Sequence, residues 1–113
     1  IVGPGSPWVV AAKRLLAGVF DTGIPAGPSE SIILADPTAD GALAALDLMI
    51  EAEHGPDSSA FLVTSSRAVA EAALAAIPGY WGQMGAQRVE FSSKVLGGSR
   101  GGVVLAPDME AAC

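Results

Sequence analysis

Cysteine is nearly absent from this sequence: Cys113, the last residue, is the only one. A disulfide framework is therefore excluded, and a reducing, cytoplasmic compartment is the default expectation. Aromatic residues make up 5% and charged residues 16%. The six basic residues are scattered singly against twelve acidic ones, for a net charge of −6. That leaves no electrostatic footprint for nucleic acid. Nor is there a charged amphipathic stripe for a membrane surface. No apolar run reaches the roughly 20 residues a spanning helix needs. Histidine is as scarce as cysteine, with His54 alone.

What is abundant is apolar. Half of the 113 residues are hydrophobic and mean hydropathy is +0.46. Without membrane spans, this composition predicts strands and helices buried on most sides, as in an α/β domain, and a surface that a neighbour covers. The length fits one domain over residues 1–113. The opening Ile1-Val2-Gly3 has no initiator Met and no basic leader, which predicts an internal piece of a longer chain.

Along the chain, Ile1-Val2 reads as a strand end and Gly3-Pro4-Gly5 as a tight turn, with Ser6 capping a helix that opens on Pro7. Val9, Ala12, Leu15 and Leu16 form the expected apolar stripe, and Gly18 the stop. After the turn-rich loop Pro25-Ala26-Gly27-Pro28-Ser29-Glu30, residues 31–35 read as a strand covered on both faces. Thr38 is the expected cap of a helix reaching about Glu53, with an apolar stripe of Leu43, Leu46 and Ile50 joined by Ala42, Ala45 and Met49. Residues 60–64 predict a second buried strand. Ser66 caps a helix to about Ile77, before Pro78-Gly79. The alternation from Gln87 to Phe91 predicts a half-buried strand, and Val103 to Ala106 another. The alternation of element types predicts βαβ units on a parallel sheet with flanking helices, one Rossmann-like half of a larger enzyme.

Few positions carry chemistry. Asp47, Glu51 and His54 follow at i, i+4 and i+7, which places them on one helical face. Glu51 and His54 form Glu-x-x-His, a spacing at which carboxylate and imidazole converge on one ion. Two ligands cannot hold zinc alone, and a histidine in a last helical turn also simply suits the dipole. Gly3-Pro4-Gly5 is not the dinucleotide fingerprint, because Pro4 removes a donor and Trp8 stands where a third glycine belongs. The loop at Ser29 presents a hydroxyl and a carboxylate at the carboxyl edge of the sheet, or is only a loop. Tyr80 and Trp81 read as packing residues. Cys113 has no neighbouring base and does not read as a nucleophile.

Taken together, three blocks are more specific than any single motif. Ile1-Val2-Gly3-Pro4-Gly5 with Ala12-Lys13-Arg14, then Pro25 to Glu30, then Ala52-Glu53-His54-Gly55-Pro56-Asp57-Ser58 resemble, in order, the Gly-Pro-Gly-Asn…Ala-Lys-Arg, Pro-Ala-Gly-Pro-Ser-Glu and Gln-Ala-Glu-His-Gly-Pro-Asp-Ser blocks of histidinol dehydrogenases. The resemblance implies a homodimeric enzyme that oxidises the small-molecule alcohol L-histidinol to L-histidine through an aldehyde, in two NAD-dependent steps, with Zn2+ holding the amino alcohol. It makes His54 a metal ligand and places Glu51 where the family has a glutamine ligand. Ser29 falls on a substrate-contacting position, and Ser6 on an asparagine position that contacts NAD. The family's Glu-His acid–base pair and its remaining ligands have no counterpart in these residues, which implies that this piece alone is inactive. Glu51 and Ser6 depart from the pattern, which keeps two other readings in view: a dehydrogenase of a different alcohol, such as a sulfonated diol, or a non-catalytic α/β module.

Overall fold

The computed structural model describes residues 6–23 and 27–113. The expected strand end and turn at residues 1–5, and the Pro25-Ala26 start of the loop, lie outside the described residues. Helix α1 (Pro7–Leu16) is followed by strand β1 (Glu30–Ala35), helix α2 (Gly41–Ala52), strand β2 (Ser59–Thr64), helices α3 (Arg67–Trp81) and α4 (Ala86–Leu96), strand β3 (Gly101–Leu105) and a last short turn, α5 (Met109–Ala112).

The three strands pair in parallel in the order β1-β2-β3, with Glu30 beside Ser59 and Ala60 beside Gly101. The expected α/β class and parallel βαβ units are therefore present. Both crossovers run the same way along the sheet. Helices α2, α3 and α4 consequently pack on one face and against each other. Leu48, Met49 and Ala52 of α2 meet Ala60 and Leu62 of β2, Val69, Ala73 and Ile77 of α3, and Val95 of α4 in one buried cluster. Gly41 lets α2 approach α3 closely: a Cβ there would lie 2.6 Å from the Val69 carbonyl oxygen and 2.7 Å from the Ala72 Cβ.

Several local expectations change in three dimensions. Asp40, not Thr38, caps α2, its carboxylate accepting from Ala42 N and Leu43 N at 2.8 and 3.2 Å. Thr38 instead donates its N–H and hydroxyl to Asp36 in a preceding turn. The large branched members of the expected stripe, Leu43, Leu46 and Ile50, face outward, with Leu43 58% exposed, whereas Ala45 and Met49 are buried. Because α2 is apolar nearly all round, periodicity cannot say which side is inner; the small residues Gly41, Ala44, Ala45 and Ala52 permit the close approach to sheet and α3. Helix α3 continues through Pro78 to Trp81. The hydrogen bond that Pro78 cannot donate would fall on the carbonyl of Leu74, an exposed residue, where water can serve it.

Residues 87–91, expected as a strand, are helical within α4. Ser92 and Val95 are the buried positions of that helix, and five alternating residues were too short a run to outweigh this spacing. Tyr80 and Trp81 are packing residues as expected. The Tyr80 hydroxyl donates to the Ala42 carbonyl at 2.8 Å, and Trp81 Nε1 donates to Ser92 Oγ at 2.9 Å. Strand β1 is not covered on both faces, since Ile32 is 71% exposed and Leu34 is open as well. Helix α1 touches the rest only lightly. Of its residues only Val10 is buried; Leu15 and Leu16 of the expected apolar stripe are exposed, and so is Trp8. The radius of gyration is 16.6 Å, above the roughly 13 Å of a compact chain this long.

Candidate functional site

In a parallel βαβ unit the helix runs back against the strands, so its C-terminal end returns to their amino edge. That topology decides where the candidate residues meet. Ser29 directly precedes β1, and its carbonyl accepts from Ser59 N at the first rung of the sheet, at 2.9 Å. Glu51 lies in the last turn of α2, and His54 lies just past it, in the turn leading to β2. Ser29, Glu51 and His54 therefore gather at the amino edge of the sheet, not the carboxyl edge expected for the Ser29 loop. Arg100 closes the same edge, donating to the Asp57 carbonyl at 2.9 Å. Ser6 is not drawn to this edge by any contact. It caps α1, its hydroxyl accepting from Val9 N at 3.3 Å, and the lightly packed α1 keeps it apart.

The local chemistry at the end of α2 is unusual. His54 Nδ1 lies 2.6 Å from the Ile50 carbonyl oxygen. A carbonyl only accepts, so the contact takes its proton from Nδ1, and in the neutral tautomer that this selects Nε2 carries the lone pair. This is how a ligating imidazole is usually oriented by its surroundings. Glu51 is half-buried, and its Oε1 is buried with no hydrogen-bond partner. The turn is electrostatically adverse: Glu51 and Glu53 sit at the negative end of the helix dipole, and no basic residue lies in the last turn. Glu53 is offset from outside the helix by Arg88 of α4, with Nη1 2.9 Å from Oε1. Glu51 has no such partner among the described residues. A carboxylate oxygen without a partner and, three residues on, an imidazole held through Nδ1 are oxygen and nitrogen donors of the kinds a divalent cation takes.

Among the described residues no three His, Cys, Asp or Glu side chains come together as a metal site. Asp47, one turn before Glu51 on α2, lines a groove of about 530 Å³ at the carboxyl end of β1, with Ile33, Leu43 and Met109. Two acids of that larger groove are already engaged, Asp40 as a cap and Asp36 with Thr38. The Thr38 hydroxyl and N–H hold the Asp36 carboxyl below its ordinary range. A smaller groove of about 250 Å³ runs along the last turns of α2, lined by Leu46, Met49, Ile50, Glu53, Tyr80 and Met84, and so adjoins the candidate pair.

Two contributors to this edge were not foreseen from sequence. The Ile50 carbonyl leaves no side-chain signal. Arg88 was assigned to a strand, and it meets Glu53 only across α4; spacing Arg88 with Ser92 and Val95 as a helical face would have placed it.

The family model for histidinol dehydrogenase matches residues 1–113. The chain belongs to the histidinol dehydrogenase family. It is 74% identical over 110 residues to a histidinol dehydrogenase homolog of Cereibacter sphaeroides, covering 97% of this chain and 25% of that one. A histidinol dehydrogenase of Synechocystis is 52% identical over 111 residues, covering 98% and 25%. The crystal structure of histidinol dehydrogenase from Elizabethkingia anophelis superposes with a TM-score of 0.78 at 30% identity, over 96% of this chain and 24% of that one. The chain thus spans about a quarter of the length of the relatives it matches. It is a portion of a histidinol dehydrogenase fold, and no helix among its described residues is long and apolar enough to cross a membrane.

Proposed function

We propose that these residues form part of a Zn2+- and NAD-dependent dehydrogenase that oxidises a small amino alcohol, L-histidinol or an analogue, through the aldehyde to the acid. Glu51 and His54 are metal ligands in this reading, with further ligands from polypeptide beyond these 113 residues. The observation that carries it is the buried, unpartnered Oε1 of Glu51, one helical turn from an imidazole whose Nδ1 is already committed to Ile50. Bound there, zinc would act as a Lewis acid toward the substrate hydroxyl. The chain's own share is positional. Ile50 fixes the ring of His54, Glu51 supplies an anionic oxygen, and Ser29 at the same edge contacts the substrate. Ser6, at the start of α1, contacts NAD. The acid–base pair that moves the alcohol proton comes from outside this piece, so the piece alone turns nothing over. The whole enzyme is a cytoplasmic homodimer in this reading.

Glu51 also bears on the substrate. It adds a negative charge where the family carries glutamine, which favours a neutral or cationic alcohol over an anionic one such as a sulfonated diol. Higher identity to a relative named a homolog than to one named histidinol dehydrogenase fits a paralogue with its own amino alcohol. The test is expression of the full-length protein, with NADH formation followed on histidinol, other amino alcohols and a sulfonated diol. Turnover of an amino alcohol that chelation abolishes is the expected result. A zinc-loaded protein that oxidises no alcohol would sink the proposal.

A further inference from the structure

We infer that Arg88 is a positioning residue for the Glu51–His54 pair, acting through Glu53. The inference rests on the metal reading above and extends it to a residue with no role in the family pattern considered so far. Glu53 is one of the two residues between the candidate ligands, directly before His54, and is the C-cap of α2. Its backbone N–H donates to Met49 O at 3.0 Å, and the N–H of His54 follows by donating to Glu51 O at 3.2 Å. The path of the chain through Glu53 thus sets how the helix ends and where the imidazole leaves it.

That ending works against the helix dipole. Carboxylates at positions 51 and 53 both act against the unpaired carbonyls of the last turn. Arg88 meets one of them, reaching across from α4 to Glu53 Oε1 at 2.9 Å, where the Glu53 side chain is only 24% exposed. The contact fixes the Glu53 side chain on the α4 side, among the residues of the smaller groove. It also neutralises one of the two charges and leaves Glu51 as the one that seeks a cation. Position 88 is held in turn from within α4, where the Arg88 carbonyl accepts from the buried Ser92 hydroxyl at 2.8 Å and Ser92 accepts from Trp81. A chain of contacts therefore leads from the packed junction of α3 and α4 to the turn that carries both ligands.

An ion pair this exposed at its arginine end adds little to folding, so its loss should be read in the metal site and not in the unfolding midpoint. Groups that orient metal ligands typically change affinity by about 10–100-fold when removed. In full-length protein, Arg88→Gln is expected to weaken Zn2+ binding by about 10-fold, at the low end of that range. It should also alter the visible absorption bands of the Co2+-substituted protein, with thermal unfolding unmoved. Arg88→Lys, which keeps a cation in reach of Glu53, should restore most of the affinity. Wild-type affinity and an unchanged Co2+ spectrum in Arg88→Gln, alongside loss of metal in Glu51→Gln and His54→Ala, would overturn the positioning role and leave the metal reading intact. Failure of the unmodified full-length protein to bind either ion would overturn both. A lowered unfolding midpoint with unchanged metal affinity would make Arg88 a structural contact and also refute the inference.

Discussion

The two faces of the sheet differ sharply. On one, α2, α3 and α4 bury Leu62 and Thr64 completely. On the other, Ile32, Leu34 and Val104 stand in the open, with no helix of the described chain laid across them. Both faces are equally apolar in sequence. What separates them is topology: crossovers of one hand, taken in one direction along the sheet, deliver every helix to the same side. Hydrophobicity therefore says that a surface wants cover, and connectivity says which surface receives it here.

The largest test of that contrast is a pair of truncations in the 113-residue chain. Leu48→Ala, at the centre of the covered face, should cost about 2–5 kcal/mol. Ile32→Ala on the bare face should stay within about 0.5 kcal/mol. Urea unfolding distinguishes the two, and equal losses would show that the open face is covered in solution. A middle-sized effect is expected at the α2–α3 contact. Gly41→Ala forces a methyl against the Val69 carbonyl and should cost about 1–3 kcal/mol; an unchanged midpoint would mean that the helices separate without strain. The smallest effect concerns the turn before α2. Thr38 lowers the folded-state pKa of Asp36 beneath its ordinary 3.8, so the stabilisation is present above that value and is lost as pH falls through the folded pKa. Asp36→Asn should remove this slight acid sensitivity, which a pH series of thermal melts on both proteins would detect.

The contrast also explains what could be read in advance. Strands β1, β2 and β3 were legible because short apolar runs bounded by turn residues have few other uses, and the caps at Ser6 and Ser66 because a hydroxyl before a helical run has a local partner. The inward side of α2 was not legible. Leu43 and Leu48 are chemically the same, and only the fit of small residues against α3 chooses between them. Residues 87–91 alternate only briefly, and the burial of Ser92 and Val95 in the following turn gives the segment a helical period instead.

The candidate site divides in a similar way. Glu51 and His54 were visible as a pair because helical spacing is a local property. The edge they share with Ser29 follows from the β1–β2 register, which spacing does not contain. Arg88 is farther still from local inference, since its contact with Glu53 depends on how α4 lies against α2.

The order in which the strands pair has a consequence for synthesis. Each strand needs only its immediate successor, so the sheet can zip up rung by rung while the polypeptide is still leaving the ribosome. The helices arrive with the strands they join, and the inner layer closes early. Ile32, Leu34 and Val104 gain nothing from that closure, and the sheet leaves them as a greasy plane.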